Sequence, residues 1–105
     1  MHGVALDHDA RAVTIEVIQK YVADFYQLKL TDLKSRNNSK SVAMPRQIAM
    51  YLIKELTHSS LPEIGRMFAG KHHTTVLHSV QKIDKLRQKD PDLNRLINSV
   101  IDSIH

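Results

Sequence analysis

The chain has 105 residues, 42% of them apolar and 25% charged, with a net charge of +4 and no cysteine. This length suits one domain with one hydrophobic core, and the balance of apolar and charged residues excludes a disordered chain. Disulfides, thiolate zinc sites and cysteine nucleophiles are excluded, a reducing cytoplasmic setting is expected, and neither a ~20-residue membrane span nor a signal peptide is read from the sequence.

With three glycines and three prolines, and apolar residues spaced by three and four almost throughout, the pattern predicts an all-α fold. Residues 1–12 read as a linker or tail and 13–105 as the domain. Ile15, Ile18, Val22, Phe25 and Tyr26 form one stripe behind Thr14, a suitable N-cap, so a helix is expected over about 14–28. Leu30 and Leu33 suggest a short helical turn, and residues 34–41 then read as a polar, basic loop. Pro45 suits the first turn of the next helix, whose stripe is Ile48, Ala49, Leu52, Ile53 and Leu56, with His58 expected to cap its far end.

Ser60-Leu61-Pro62-Glu63 has the form of a capping box with proline in the first turn, opening a short helix through Ile64, Met67 and Phe68 that stops at Ala69-Gly70. The following helix starts at His72 or His73 and is expected to bury Val76, Leu77, Val80, Ile83 and Leu86, with Arg87 near its end. Asp90-Pro91-Asp92 caps a final helix bearing Leu93, Leu96, Ile97, Val100, Ile101 and Ile104. The expected fold is a compact bundle of about six helices containing a helix-turn-helix. Tyr21, Phe25, Tyr26, Tyr51 and Phe68 sit at core spacings, which argues against an aromatic platform for single strands.

Charge is unevenly distributed. Residues 1–33 carry three basic and five acidic side chains, residues 34–71 seven and two, and the remainder five and four. A basic middle segment is the footprint of a polyanion partner, although a solvated lysine- and arginine-rich face is the simpler reading from composition alone. The capped short helix, glycine-bearing turn and longer helix over residues 60–88 have the layout of a helix-turn-helix. In such a motif the start of the second helix offers short polar groups to base edges, and His72, His73, Thr74 and Thr75 fill that position.

The run Gly70-Lys71-His72-His73-Thr74-Thr75-Val76-Leu77-His78, with Leu61-Pro62-Glu63-Ile64-Gly65 and Pro45-Arg46-Gln47-Ile48-Ala49-Met50 before it, resembles the C-terminal DNA-binding domain of the DnaA family of bacterial chromosomal replication initiators. The resemblance extends over roughly residues 13–105. It implies a six-helix domain of the Trp repressor and DnaA type, binding double-stranded DNA at asymmetric A·T-rich boxes of the TTATNCACA type at a replication origin. It places base-reading residues on His72, His73, Thr74 and Thr75, and phosphate contacts and their supports on Arg46, Gln47, Lys54, Leu61 and Pro62. Arg46 is expected to neutralise phosphate, and Lys71 belongs to the same surface. The family's minor-groove arginine aligns with Asn38, leaving Arg36 or Lys40 as substitutes, and His72 stands where family members usually have aspartate. The phosphate-cradling Gly-x-x-x-x-Gly-Lys-Ser/Thr pattern is absent, so no cofactor is expected here, and ATP belongs to a different domain of the implied parent protein.

Other classes have less support. His72, His73 and His78 lack the three- or four-residue helical spacing of paired metal ligands, so no metal is expected, and His78 is read as packing within the domain. No nucleophile, base and oxyanion donor are grouped as an enzyme requires. The first helix is amphipathic and could touch acidic phospholipid, but Glu16 and Asp24 on its polar face beside Lys20 favour a core helix. RNA binding lacks exposed aromatics. The isolated domain is expected to be monomeric.

Overall fold

The computed structural model describes residues 13–36 and 39–104. Among them are six helices and no strand: α1 (Ile15–Phe25), α2 (Leu30–Lys34), α3 (Lys40–Leu56), α4 (Leu61–Arg66), α5 (His73–Lys89) and α6 (Pro91–Ile104). The expected linker over 1–12 and Asn38 lie outside the described residues.

The capping chemistry legible in the sequence sets most boundaries. Thr14 Oγ1 accepts from Val17 N–H at 3.1 Å, Ser60 Oγ from Glu63 N–H at 3.2 Å, and Asp90 Oδ1 from Asp92 and Leu93 N–H at 3.0 and 3.2 Å. Each satisfies amide donors that a helix start leaves unpaired.

Three boundaries differ from expectation, one of them in α4, which ends at Arg66 so that Met67 and Phe68 lie in the turn and not in the helix. Helix α1 stops at Phe25 because Gln27 takes φ 55°, and Gln27 and Leu28 N–H then close back on Asp24 and Ala23 carbonyls at 3.1 and 2.8 Å. This is a Schellman end built on glutamine instead of glycine, which the composition does not signal. Helix α3 begins at Lys40, so Pro45 lies inside the helix, not in its first turn, and the basic loop is shorter than expected. Burial of Val42, 3% exposed, draws the extra turn onto the core, while Ser41, whose carbonyl lacks Pro45 as a donor, is exposed to water.

Helix α3 is the axis of the bundle, packing against α5, α1, α2 and α4. Ile48, Ala49, Leu52 and Ile53 have no exposed surface, and Met50 and Tyr51 are nearly as buried. Helix α6 closes the core against α1 and α5 through Ile97 and Val100. Phe25 and Leu77, expected inside, are 46% and 36% exposed, and Tyr21 is 39% exposed. Helix α1 spends its inward arc on Ile15, Ile18, Gln19, Val22 and Ala23, and α5 on Val76, Ser79 and Ile83, so Phe25, Tyr21 and Leu77 flank those arcs. His58 is exposed and does not end α3; the Thr57 hydroxyl donates to the Ile53 carbonyl at 2.7 Å instead.

Among the described residues, Gln19, Arg46 and Arg87 bridge helices. Gln19 on α1, 1% exposed, donates Nε2–H to the Met67 carbonyl at 2.7 Å, pinning the end of α4. Arg46 on α3 donates Nε–H to Leu33 O at 2.9 Å and Nη2–H to Asp32 O at 3.0 Å, holding α2. Arg87 on α5 donates to Asn94 and Asn98 of α6, at 2.8 Å each, and to the Tyr51 hydroxyl of α3 at 3.0 Å.

The turn between α4 and α5 is tight. Ala69 and Gly70 take φ 62° and 72°, and Lys71 N–H bonds the Gly65 carbonyl at 2.9 Å. A Cβ on Gly65 would stand 2.0 Å from the Lys71 carbonyl oxygen, so the glycine inside α4 is required by backbone approach. Gly65→Ala should therefore destabilise the domain by about 2 kcal/mol or more, despite the ~1 kcal/mol that alanine's helix preference would add. Urea denaturation followed by circular dichroism measures it, and an unchanged midpoint would show that the turn retreats freely.

Candidate nucleic-acid interface

Helix α5 turns two unlike faces outward and inward. Val76 and Ile83 have no exposed surface and anchor it, whereas His72, His73, Thr74 and Thr75 are all exposed at its first turn. The anchored face fixes the exposed one, because residues one and four positions apart on a helix differ in direction by a set angle.

His72 is the N-cap. Its Nδ1 accepts from Thr74 N–H at 3.3 Å and lies 2.7 Å from Thr74 Oγ1. The His72 and His73 ring centroids lie 4.3 Å apart, with the planes tilted by 32°. The positive end of the α5 dipole adds to the potential at this end of the motif.

Beside it is an open hollow of about 310 Å³ lined by Arg36, Ala69, Gly70, Lys71, His72 and Thr75. The α2–α3 loop and the helix-turn-helix turn, far apart in sequence, meet here: Arg36 Nη2 lies 4.0 Å from the position a Cβ on Gly70 would occupy. A second hollow of about 150 Å³ is lined by Ala43, Arg46, Gln47, Met50, Lys71, Thr75 and Ser79, so Lys71 and Thr75 face both. Gln47 Oε1 is buried there without a hydrogen-bond partner among the described residues.

The expected site residues are thus distributed over several places. Arg36, Lys71, His72 and Thr75 converge, and Arg46 and Gln47 adjoin them through the second hollow. Lys40, at the first turn of α3, is exposed. Lys54 sits at the α3–α4 joint, donating to the Ser59 carbonyl at 3.4 Å, with half-buried Leu61 and exposed Pro62 just beyond. Among the described residues, none of these four lines either hollow. Arg46 is 4% exposed, with two donors engaged by the α2 carbonyls; burial lowers its guanidinium from the ordinary value, and it remains charged. Sequence reading missed Gln19, Gly65 and the bridging role of Arg87. Gln19 had a signal, a polar residue in phase with the Ile15, Ile18 and Val22 stripe. His78 is exposed, and among the described residues no three histidine or carboxylate side chains group as metal ligands.

Fold and site together define a helix-turn-helix domain with a basic hollow at the start of its second helix. The family model described as bacterial DnaA protein helix-turn-helix matches residues 15–83. The chain belongs to this family. Over 88 residues it is 56% identical to a chromosomal replication initiator protein DnaA of Leptothrix cholodnii, covering 84% of this chain and 17% of that protein. The protein of the same name from Burkholderia multivorans is 57% identical over 84 residues, 80% of this chain and 16% of that one. A solved structure described as a DNA replication initiation factor superimposes with a TM-score of 0.77 at 27% identity, covering 97% of this chain and 31% of that one. The chain spans about a sixth of the length of the curated relatives it matches.

Removing the Arg46 guanidinium leaves the Asp32 and Leu33 carbonyls without this donor. Arg46→Ala should cost about 1.5–3 kcal/mol of stability, and Arg46→Lys should recover little, since one ammonium cannot match a planar fork. Thermal melts of the two variants check this; full recovery by lysine would mean that charge alone matters.

Proposed function

We propose that this domain binds double-stranded DNA sequence-specifically, with the first turn of α5 in the major groove and the α2–α3 loop on the adjacent backbone or minor groove. The observation that supports this most is the convergence of His72 and Thr75, exposed at the first turn of α5, with Arg36 and Lys71 around one hollow. Cations that neutralise phosphate then lie beside short polar groups that suit base edges, the combination a specific DNA reader needs. Arg36 and Lys71 are the phosphate-facing cations. Gln47, Lys40, Lys54, Leu61 and Pro62 belong to the flanking backbone contacts. Arg46 acts from beneath the surface, holding α2 and hence the chain that leads to Arg36.

The target sites are A·T-rich boxes of the DnaA type at a replication origin, in keeping with the family. As part of a longer initiator, this domain anchors the protein to the origin and binds no nucleotide itself, ATP being used by another region; alone it acts as a monomer in the bacterial cytoplasm. A lipid surface is a weaker reading. The apolar stripe of α1 is buried, leaving Tyr21 and Phe25 as its exposed large apolar side chains. No helix of the described residues is long and apolar enough to cross a membrane.

Thr75→Ala should weaken binding to the preferred box by about 1–3 kcal/mol while leaving a scrambled duplex and the folded state almost unaffected. Paired titrations at one salt concentration, with circular dichroism as control, read both; equal losses on both duplexes would assign Thr75 to the backbone. Arg36→Ala and Lys71→Ala should each weaken all duplexes similarly and lower the slope of log K against log salt by about one. An unchanged slope would remove that residue from the phosphate contacts.

A further inference from the structure

The hydrogen bonds at the start of α5 determine more than a helix cap: they decide which polar groups the interface can present. His72 Nδ1 accepts the Thr74 amide N–H, so that nitrogen carries no proton. The Thr74 hydroxyl, 2.7 Å from the same nitrogen, can then only donate to it. Two consequences follow for the exposed turn. The neutral His72 ring holds its proton on Nε2, across the ring from the cap, as a donor. Thr74 has used its hydroxyl hydrogen and presents acceptor lone pairs and a methyl group. The tilted contact between the His72 and His73 rings limits the directions in which the Nε2–H can point.

On this geometry, and resting on the proposed DNA reading, we infer that His72 is a specificity-determining donor that selects a base with an acceptor edge in the major groove, guanine first. Guanine presents N7 and O6 side by side with no donor between them, whereas cytosine presents an amine there. An aspartate in the same place would cap the helix equally well but offer acceptors alone. The two residues are interchangeable for the fold and opposite in polarity for the base. Asparagine behaves as histidine does: with its carbonyl oxygen on the cap, its amine is left as an outward donor.

The test is a selection of random duplexes by the 105-residue chain and by His72→Asp and His72→Asn, with sequencing of the bound pools and circular dichroism of each protein. One position of the enriched motif should favour guanine by roughly fivefold in the wild type, the share of one net hydrogen bond. His72→Asn should keep that preference, and His72→Asp should turn it toward cytosine or adenine, all other positions being unchanged. A motif identical in all three proteins, or a wild-type preference for cytosine at the position that His72→Asp alters, overturns the inference while leaving DNA reading intact. A wild-type pool without any enriched motif removes the DNA reading itself, and this inference with it. Nitrogen-15 NMR of the free protein at alkaline pH gives an independent readout: the His72 ring should be the Nε2–H tautomer, and an Nδ1–H ring would refute the cap geometry on which the inference stands.

Discussion

The interface depends on a backbone contact. The Lys71 carbonyl lies against Gly65, where a Cβ would stand 2.0 Å from its oxygen. That approach lets the chain reverse through Ala69 and Gly70 in left-handed conformations and start α5 at once. With α5 docked by Val76 only a few residues into the helix, its first exposed turn has little freedom. A looser turn would move His72 and Thr75 away from Lys71 and Arg36, and the hollow they share would open.

Polar bridges hold the rest of the bundle around that turn. Gln19 ties α1 to the end of α4, Arg46 ties α3 to α2, and Arg87 ties α5 to α6 and α3. Apolar burial drives these helices together without fixing their rotation, since hydrophobic contact is not directional. Hydrogen bonds to single carbonyls and amides are directional, and a buried donor left unmatched costs about 1–3 kcal/mol. The bridges therefore select one arrangement among several apolar packings. Arg46 is the instructive case: a cation in a basic segment, next to the interface, whose donors are turned inward to the end of a short helix.

The electrostatics of the surface are correspondingly local. The net charge of +4 is modest, yet Arg36 and Lys71 lie within one hollow beside the amino end of α5. Charges that close act together on a phosphate within a Debye length, whereas the acidic residues of α1 belong to a different helix. The residues matched by the family model, 15–83, include the cap at Ser60, the turn at Gly70 and the exposed first turn of α5.

Local chemistry was legible in the residues. Thr14, Ser60 and Asp90 start helices where the sequence places them, and Gly70 marks the turn, because caps and turns are satisfied by atoms only a few positions away. The runs around Gly65 and His72 were specific enough to name the family. Tertiary structure alone decided what depends on distant atoms. Val42 drew α3 back past Pro45, and Gln27 ended α1 without a glycine. Phe25 and Leu77 stayed at the surface because neighbouring residues filled the available helix faces. Arg46 went inward because α2 offered it two carbonyls, and Arg36 reached Gly70 because the bundle brought a loop and a turn together across more than thirty residues of chain. Periodicity records which residues share a helix face; which face meets which partner is settled only when the helices compete for the same core.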